Sequence, residues 1–484
     1  MMDGFSWIML SPIKSEIFLA VVGMLLLMLG AFRGKASVNF VMTSVIAALL
    51  VALGAVCGAD WTASFDTLNG MVIVDGFSEW MKVLILSGLA ASLLLSVSWI
   101  KENALLKFEY PLLVLFSGIG MLLMVSANNL LSLYVSLELS SLCLYVLAAI
   151  NRDNLLSTEA GLKYFILGAL SSGLLLFGIS LVYGYTGTIS YAGISGFLET
   201  VETMPYGVMV GMVFMLAGLA FKISAVPFHM WTPDVYQGAP TPVTALFAIV
   251  PKVAAFAMII RLIIGPFAML IAESSQIIMF ISFASMMLGA FAGLVQNNVK
   301  RLLAYSSIAN MGYAMLGLLP GVPEAIASTI IYLTIYMVML AGVFAVLMSI
   351  KRSGKAIENI PDFAGLSKTS PFMAYALTGL LFSMSGIPPL AGFFGKLFVF
   401  QAAVAGGFVT LAVIGVLTSV VGAYYYLRLI KVMFFDESVG AVEQNNSTSR
   451  HLVAVGSVAF ILLFTVMPNQ LLDHAMAAAL SLFP

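Results

Sequence analysis

Six side chains in a very apolar chain can gain or lose a proton in places where lipid favours none. Two of them lie in one interruption, the stretch Ala217–Val243 (AGLAFKISAVPFHMWTPDVYQGAPTPV). A membrane-grade apolar run there receives a cation at Lys222 and loses a backbone donor at Pro227. His229 follows two residues later, and the run ends in a Pro/Gly-rich loop. Lys252 lies near the middle of the next run, Lys396 sits beside Ser385-Gly386-Ile387-Pro388-Pro389, and Lys163 and Glu138 lie in earlier runs. Ionisable groups inside a membrane are costly and usually mark ion or proton paths, especially beside a broken helix. A free lysine titrates near pH ~10.4, and burial can bring a lysine down to roughly 5–6. Lysines in series with a carboxylate therefore have the chemistry of a proton relay.

Each residue also has a plainer reading. Glu138 shares a helical face with Tyr134, Ser141 and Tyr145 at i−4, i+3 and i+7, a stripe suited to a hydrated carboxylate. Its alternative is a structural ion pair, with Lys222 the nearest candidate in kind. Any one lysine can instead snorkel, stem in lipid and amine at the interface. That alternative suits Lys163, about one turn from the end of its run, better than Lys252 or Lys396. His229 either relays protons, with an ordinary pKa of ~6.5, or bonds the carbonyls that Pro227 frees. Thr232, Asp234, Tyr236 and Gln237 form either an intake vestibule or a helix cap. Ser306, Ser307 and Asn310 either hold water between charges or bond neighbouring helices, and the second is the commoner use.

The elements that position these residues follow from composition. The 484 residues are 61% hydrophobic and 9% charged, against about 25% charged in a soluble domain. Mean hydropathy is +1.08. The chain is expected to be an all-α polytopic membrane protein, since its apolar runs are too long for barrel strands. Net charge of −1 gives no electrostatic case for nucleic acid. Cys57 and Cys143 lack metal-ligand spacing and read as inert packing residues in apolar helices. No dinucleotide or nucleotide fingerprint, Cys cluster or paired His occurs, so no cofactor is expected in this chain. Asp3, Lys14 and Glu16 precede the first apolar run, which reads as a retained span and not a signal peptide.

At about 20 apolar residues per crossing, fourteen spans are expected: roughly 15–32, 38–57, 78–99, 109–126, 128–150, 159–185, 206–236, 242–264, 275–295, 301–319, 325–350, 372–402, 404–430 and 452–475. The seventh and twelfth are too long for one straight crossing and read as discontinuous helices. Fourteen basic residues fall on one set of connections, and Lys14, Lys82 and Arg261 on the other. The positive-inside rule makes the first set cytoplasmic and places both termini outside. Asn445 and Asn446 then face the wrong side for glycosylation. Spans 4–8 and 9–13 form two sets of five, each with its broken helix fourth. Five is odd, so the copies enter from opposite faces and are inverted. The expected segments are 1–108, 109–264, 265–434 and 435–484, with 431–451 a polar connection.

The runs PFHMWTPDVYQGAPTPV (227–243), VKRLLAYSSIANMGY (299–313), SGIPPLAGFFGKLFVF (385–400) and GAYYYLRLI (422–430) resemble the subunit N family of bacterial proton-pumping NADH:quinone oxidoreductase, respiratory complex I. The WTPDVYQGAP loop distinguishes that family from its antiporter-like siblings L and M and from multi-subunit sodium/proton antiporters. The resemblance implies fourteen helices, inverted five-helix repeats, discontinuous helices 7 and 12, and a central hydrophilic axis. It implies a Glu138–Lys222 switch, modulated by Lys163, with Lys252 connecting and Lys396 terminal. It also implies that NADH, FMN, iron–sulfur clusters and quinone belong to other subunits. Expected partners are membrane lipid, neighbour M and small subunit K, in the bacterial inner membrane.

Overall fold

The computed structural model describes residues 7–103, 105–352, 354–438, 440, 442–444 and 447–483. Asp3, Asn445 and Asn446 lie outside the described residues. The chain is an all-α polytopic membrane protein of fourteen spans. They are α1 (Lys14–Arg33), α2 (Val38–Cys57), α3 (Gly76–Glu102), α4 (Glu109–Val125), α5 (Leu130–Ala148), α6 (Leu155–Thr186), α7a (Tyr206–Lys222) with α7b (Trp231–Gly238), and α8 (Thr241–Ile264). They continue with α9 (Ile271–Leu294), α10 (Val299–Leu316), α11 (Pro323–Ser349), α12a (Pro371–Ser385) with α12b (Ala391–Ala405), α13 (Val409–Phe435) and α14 (Thr448–Val466). Helix is the form such sequences must take, because it pairs backbone groups that lipid cannot. Starts are set by side-chain caps: Asn129 on α5, Asn154 on α6, Asn298 on α10, and an Asp75–Ser78 capping box on α3.

Nine helical stretches among the described residues are long and apolar enough to cross a membrane, one of them holding both α1 and α2. The shorter apolar helices are α4, α7a, α12a and α12b; α7b, of eight residues, is not among them. The span α10 meets neither description, because it carries Lys300, Arg301, Ser306, Ser307 and Asn310. It can be polar because it is almost wholly enclosed by other helices.

The two repeats are α4–α8 and α9–α13, and their backbone bonding gives the register. Leu130 N donates to Ile189 O (2.9 Å) as Val299 N does to Glu358 O (2.7 Å). Isolated bridges join Asn129 to Ser190 and Asn298 to Asn359, each residue of the second pair 169 positions after its counterpart. Each fourth helix breaks in one manner. Ser224 and Gly386 take positive φ (63° and 85°), and bonds run from Ala225 N to Ala220 O (2.8 Å) and from Ile387 N to Phe382 O (3.1 Å). This is a helix terminus closed by a left-handed residue, which satisfies otherwise orphaned carbonyls. Aligned on that turn, Lys396 corresponds to Asp234, not to Lys222.

Close packing fixes where the breaks sit. Along α6 and α7a, a Cβ on Gly211 would lie 2.9 Å from Gly178 O, and one on Gly178 2.5 Å from Gly211 O. Only glycine fits, and small residues are how membrane helices approach. Ser171 Oγ on α6 donates to Gly218 O (2.9 Å), one turn before Lys222.

Outside the repeats, α3 is anchored at both ends. Arg261 holds Asp75 with two bonds (2.8 and 2.9 Å). Lys82 lies fully buried between Glu16 (2.9 Å) and Glu79 (3.0 Å). At the other end Glu102 pairs with Arg450 (3.0 Å) and Lys351 (2.8 Å). Lys82 and Arg261, read as loop residues from sequence, are thus helical and buried near helix ends. Cys57 ends α2 and is exposed, not packed. The last span stops at Val466, short of the expected 475, because Pro468 interrupts it. A separate helix, α15 (Asn469–Leu480), then folds back on α3. There His474 stacks on Trp80 (5.6 Å, 17°), and Ser481 Oγ accepts from Phe77 N (2.8 Å).

Expected loops contain further structure. A β1–β2 hairpin (Phe65–Thr67, Val72–Val74) and a helix Tyr191–Thr200 lie on one side. On the other, β3 (Ile350–Arg352) pairs with β4 (Lys355–Ala356) and β5 (Glu443–Gln444), which ties down the 431–451 connection.

Candidate functional site

Lys222 is the last residue of α7a. Its amine donates to Ser141 Oγ (2.8 Å) and Tyr145 OH (3.2 Å) on α5, and lies 5.5 Å over the Tyr145 ring. The polar stripe read from sequence therefore does face Lys222, through its last two members. Glu138 is a turn further along that stripe. Its Oε1 is buried without a hydrogen-bond partner, and among the described residues no ion pair to 4.0 Å joins it to Lys222.

The α7 break is held by both repeats. Trp231 Nε1 donates to Phe221 O (3.0 Å), and Val226 N to Ser285 Oγ on α9 (2.9 Å). Trp231 stacks on Tyr164 of α6 (4.4 Å, 12°). Trp231 takes the Phe221 carbonyl, and His229 hydrogen-bonds the backbone of Pro227 within the break. His229 itself is half-buried, with Nδ1 lacking a partner.

Lys163 is drawn into a different cluster. Its amine meets Glu159 (2.8 Å) and Asp234 (2.7 Å). Asp234 also accepts from Arg301 on α10 (2.6 Å), and Arg301 reaches Gln237 (3.2 Å). Asp234 thus clamps α7b to α6 and α10. Lys163 is linked to Lys222 through this clamp and the α7 break, and its neighbour Tyr164 packs on Tyr145 (4.8 Å), which accepts from Lys222.

Lys252 follows Pro251 within α8, is buried, and donates to Ser307 Oγ on α10. Its amine lies 5.4 Å over the Tyr236 ring, and the phenols of Tyr236 and Tyr336 lie beside Ser307. Ser306, the adjacent residue, bonds Tyr426 OH on α13 (2.5 Å). Asn310 donates to Ser306 O (2.7 Å) and accepts from Tyr332 OH on α11 (2.7 Å). Tyr332 stacks on Tyr336 (6.4 Å, 5°). Ser306, Ser307 and Asn310 do bond neighbouring helices, and one of those bonds goes to the buried lysine.

Lys396 lies in α12b, buried, with its amine at the end of α12a. It donates to Met384 O (3.0 Å), Ser385 O (3.1 Å) and Ser419 Oγ on α13 (2.8 Å). A cation at the carbonyl end of a helix is favourably placed. Its amine lies 5.3 Å over the Tyr313 ring, whose hydroxyl reaches Thr418 (3.4 Å).

The lysines thus form two classes. Lys82, Lys163, Lys300, Lys351 and Lys431 are bonded to carboxylates. Lys222, Lys252 and Lys396 are bonded to hydroxyl and carbonyl oxygens, with no carboxylate within 4.0 Å among the described residues. A hydroxyl accepts from an ammonium and can turn to donate to a neutral amine, so these three keep a partner in either protonation state. A carboxylate partner holds the proton on. Sequence reading missed Arg301, Ser419 and the tyrosines Tyr313, Tyr332, Tyr336 and Tyr426 as site residues, and did not connect Tyr236 with Lys252. The repeat register was the available signal: Ser307 and Tyr332 each lie 169 positions after Glu138 and Lys163.

A family described as NADH:quinone oxidoreductase/Mrp antiporter, transmembrane, matches residues 127–422. The chain is 50% identical over 476 residues to "NADH-quinone oxidoreductase subunit N" of Rhodospirillum rubrum, and 51% over 473 residues to that of Parvibaculum lavamentivorans, with 98% of each chain covered in both cases. Among solved structures it is similar to a chain of respiratory complex I from Thermus thermophilus (TM-score 0.82, 32% identity, 95% of this chain and 99% of that one). A chain of the Mrp complex from Dietzia shares the fold (TM-score 0.84, 22% identity, 97% of both).

Proposed function

The chain belongs to the NADH-quinone oxidoreductase subunit N family, the membrane subunits of respiratory complex I, and from that premise we propose how its residues move protons. Protons pass along a buried Glu/Lys chain of Glu138, Lys222, Lys252 and Lys396, driven by quinone reduction in other subunits. The observation that carries the reading is the class of partner: the three axial lysines rest on oxygens that tolerate both amine states. Glu138, one turn from the Lys222 bonds and without a partner of its own, is the charge that biases Lys222. Lys163 acts on Lys222 at one remove, by fixing Asp234 and with it α7b. His229, in the break itself, is a relay.

This subunit carries no redox centre in the proposal. NADH, FMN, iron–sulfur clusters and quinone are bound elsewhere in the complex. Its segments are 1–108, the repeats 109–264 and 265–434, and 435–484. The neighbours are antiporter-like subunit M and small subunit K, and the chain lies in the bacterial inner membrane with both termini periplasmic. Co-purification of flavin and iron–sulfur subunits separates this function from that of a sodium/proton antiporter subunit. The decisive experiment is Lys222→Ala in an assembled complex, with quinone reduction and proton pumping measured together. Both are expected to fall. Full pumping by an assembled variant removes Lys222 from the path.

A further inference from the structure

One groove touches this path only at Tyr145. It opens on the face carrying the more basic connections, between the start of α4, the end of α5 and the start of α6, with a volume of about 820 Å³. Its charges are confined to the rim. Lys107 spends one donor on Ile150 O (2.6 Å) and makes no other hydrogen bond or ion pair among the described residues. Arg152 and Glu109 are exposed and make no ion pair to 4.0 Å among the described residues. Below the rim the walls are apolar, including Val146 (52% exposed) and Phe165 (49%). Tyr145, which accepts from Lys222, also lines the groove.

We propose that this groove binds one zwitterionic aminophospholipid. Two cations and one carboxylate at one end of an apolar trough match an amphiphile whose phosphodiester anion carries a tethered ammonium. Arg152 and Lys107 take the phosphate, and Glu109 takes the ammonium. The acyl chains lie along Val146 and Phe165. Basic pockets between helices at a membrane surface recognise lipid headgroups in this manner. A helix of a neighbouring protein would cover the apolar walls and leave three rim charges to be matched at a single level. The bound lipid covers the approach to Tyr145, the hydroxyl on which Lys222 rests. The proposal depends on the chain's place in a membrane and not on the proton path.

The test uses the intact complex extracted in mild detergent, with bound lipid counted by native mass spectrometry. Arg152→Gln is expected to lose one phosphatidylethanolamine per complex. Glu109→Gln is expected to keep a phospholipid there and exchange phosphatidylethanolamine for phosphatidylglycerol. Both residues are exposed, so assembly is preserved. A photo-crosslinking residue at position 165 is expected to capture phospholipid. An unchanged phosphatidylethanolamine count in either variant, or capture of a neighbouring polypeptide at 165, overturns the proposal. A pumping defect in Lys222→Ala leaves these counts untouched, so the two readings fail separately.

Discussion

The amine of Lys252 rests on Ser307, the residue that holds in the second repeat the place of Glu138 in the first. The inverted repeats thus meet where the fifth helix of one touches the second helix of the other. Where the first repeat has a carboxylate, the second has a hydroxyl. A carboxylate at 307 would hold the Lys252 proton in place. On the proposed path, the hydroxyl lets that proton leave.

Ser307→Ala removes that acceptor from a buried ammonium. Hydrogen bonds to charged groups contribute about 1.5–3 kcal/mol, or roughly one to two decades in the protonation equilibrium at 1.4 kcal/mol per decade. Proton pumping by the assembled complex is expected to fall about tenfold or more, as read by a pH-sensitive dye in vesicles. Ser306→Ala, which loses only Tyr426 and Asn310 contacts, is expected to fall less. Equal pumping in wild type and Ser307→Ala would contradict the role given to this contact.

Trp231→Phe keeps the stack on Tyr164 and deletes the bond to Phe221 O. That carbonyl keeps its backbone bond from Ser224 N (3.1 Å), so the loss is one hydrogen bond, about 0.5–1.5 kcal/mol. Lys222 adjoins that carbonyl, so pumping is expected to drop while abundance of the assembled complex on a native gel stays near normal. A loss of abundance with full activity per complex would instead mark Trp231 as purely structural.

Arg450→Ala is expected to be a stability mutation. Its guanidinium is fully buried and bonds Met348 O (2.7 Å) and Glu102 (3.0 Å). Removing one partner of a buried pair costs about 3–5 kcal/mol. Thermal scanning of the purified complex should show earlier loss of this subunit. Lys431→Ala, at an exposed pair with Asp436, should change the transition little.

Asp75 sets a pH dependence. Burial opposes its ionisation, but the Arg261 guanidinium and the Ser78 donors outweigh it and hold the carboxyl below its usual value. A depressed carboxyl contributes stability that is fully present above its unfolded pKa of ~3.9 and is lost as pH falls through the lower folded value. Asp75→Asn is therefore expected to lower the melting temperature at neutral pH, with the gap to wild type closing below pH ~4. A gap that stays constant down to pH 3 would remove Asp75 as its source.

Hydropathy alone determined that the chain is a helical membrane protein, and span length alone marked the seventh and twelfth helices as broken. Lipid cannot hydrogen-bond a backbone, so an apolar run of a given length has one fold available to it. The stripe around Glu138, the cost of Lys222, Lys252 and Lys396, and the odd-numbered repeat were legible for the same reason: each is a local pattern. What each lysine touches was not legible. Lys163 and Lys222 look alike in sequence, yet one is held by Asp234 and the other by Ser141 and Tyr145. Those partners lie 71, 81 and 77 residues away in the chain, and only the glycine seam of α6 and α7a and the turn at Ser224 bring them to bonding distance. Tertiary structure therefore decided which lysines are fixed by a carboxylate and which keep a partner with or without their proton.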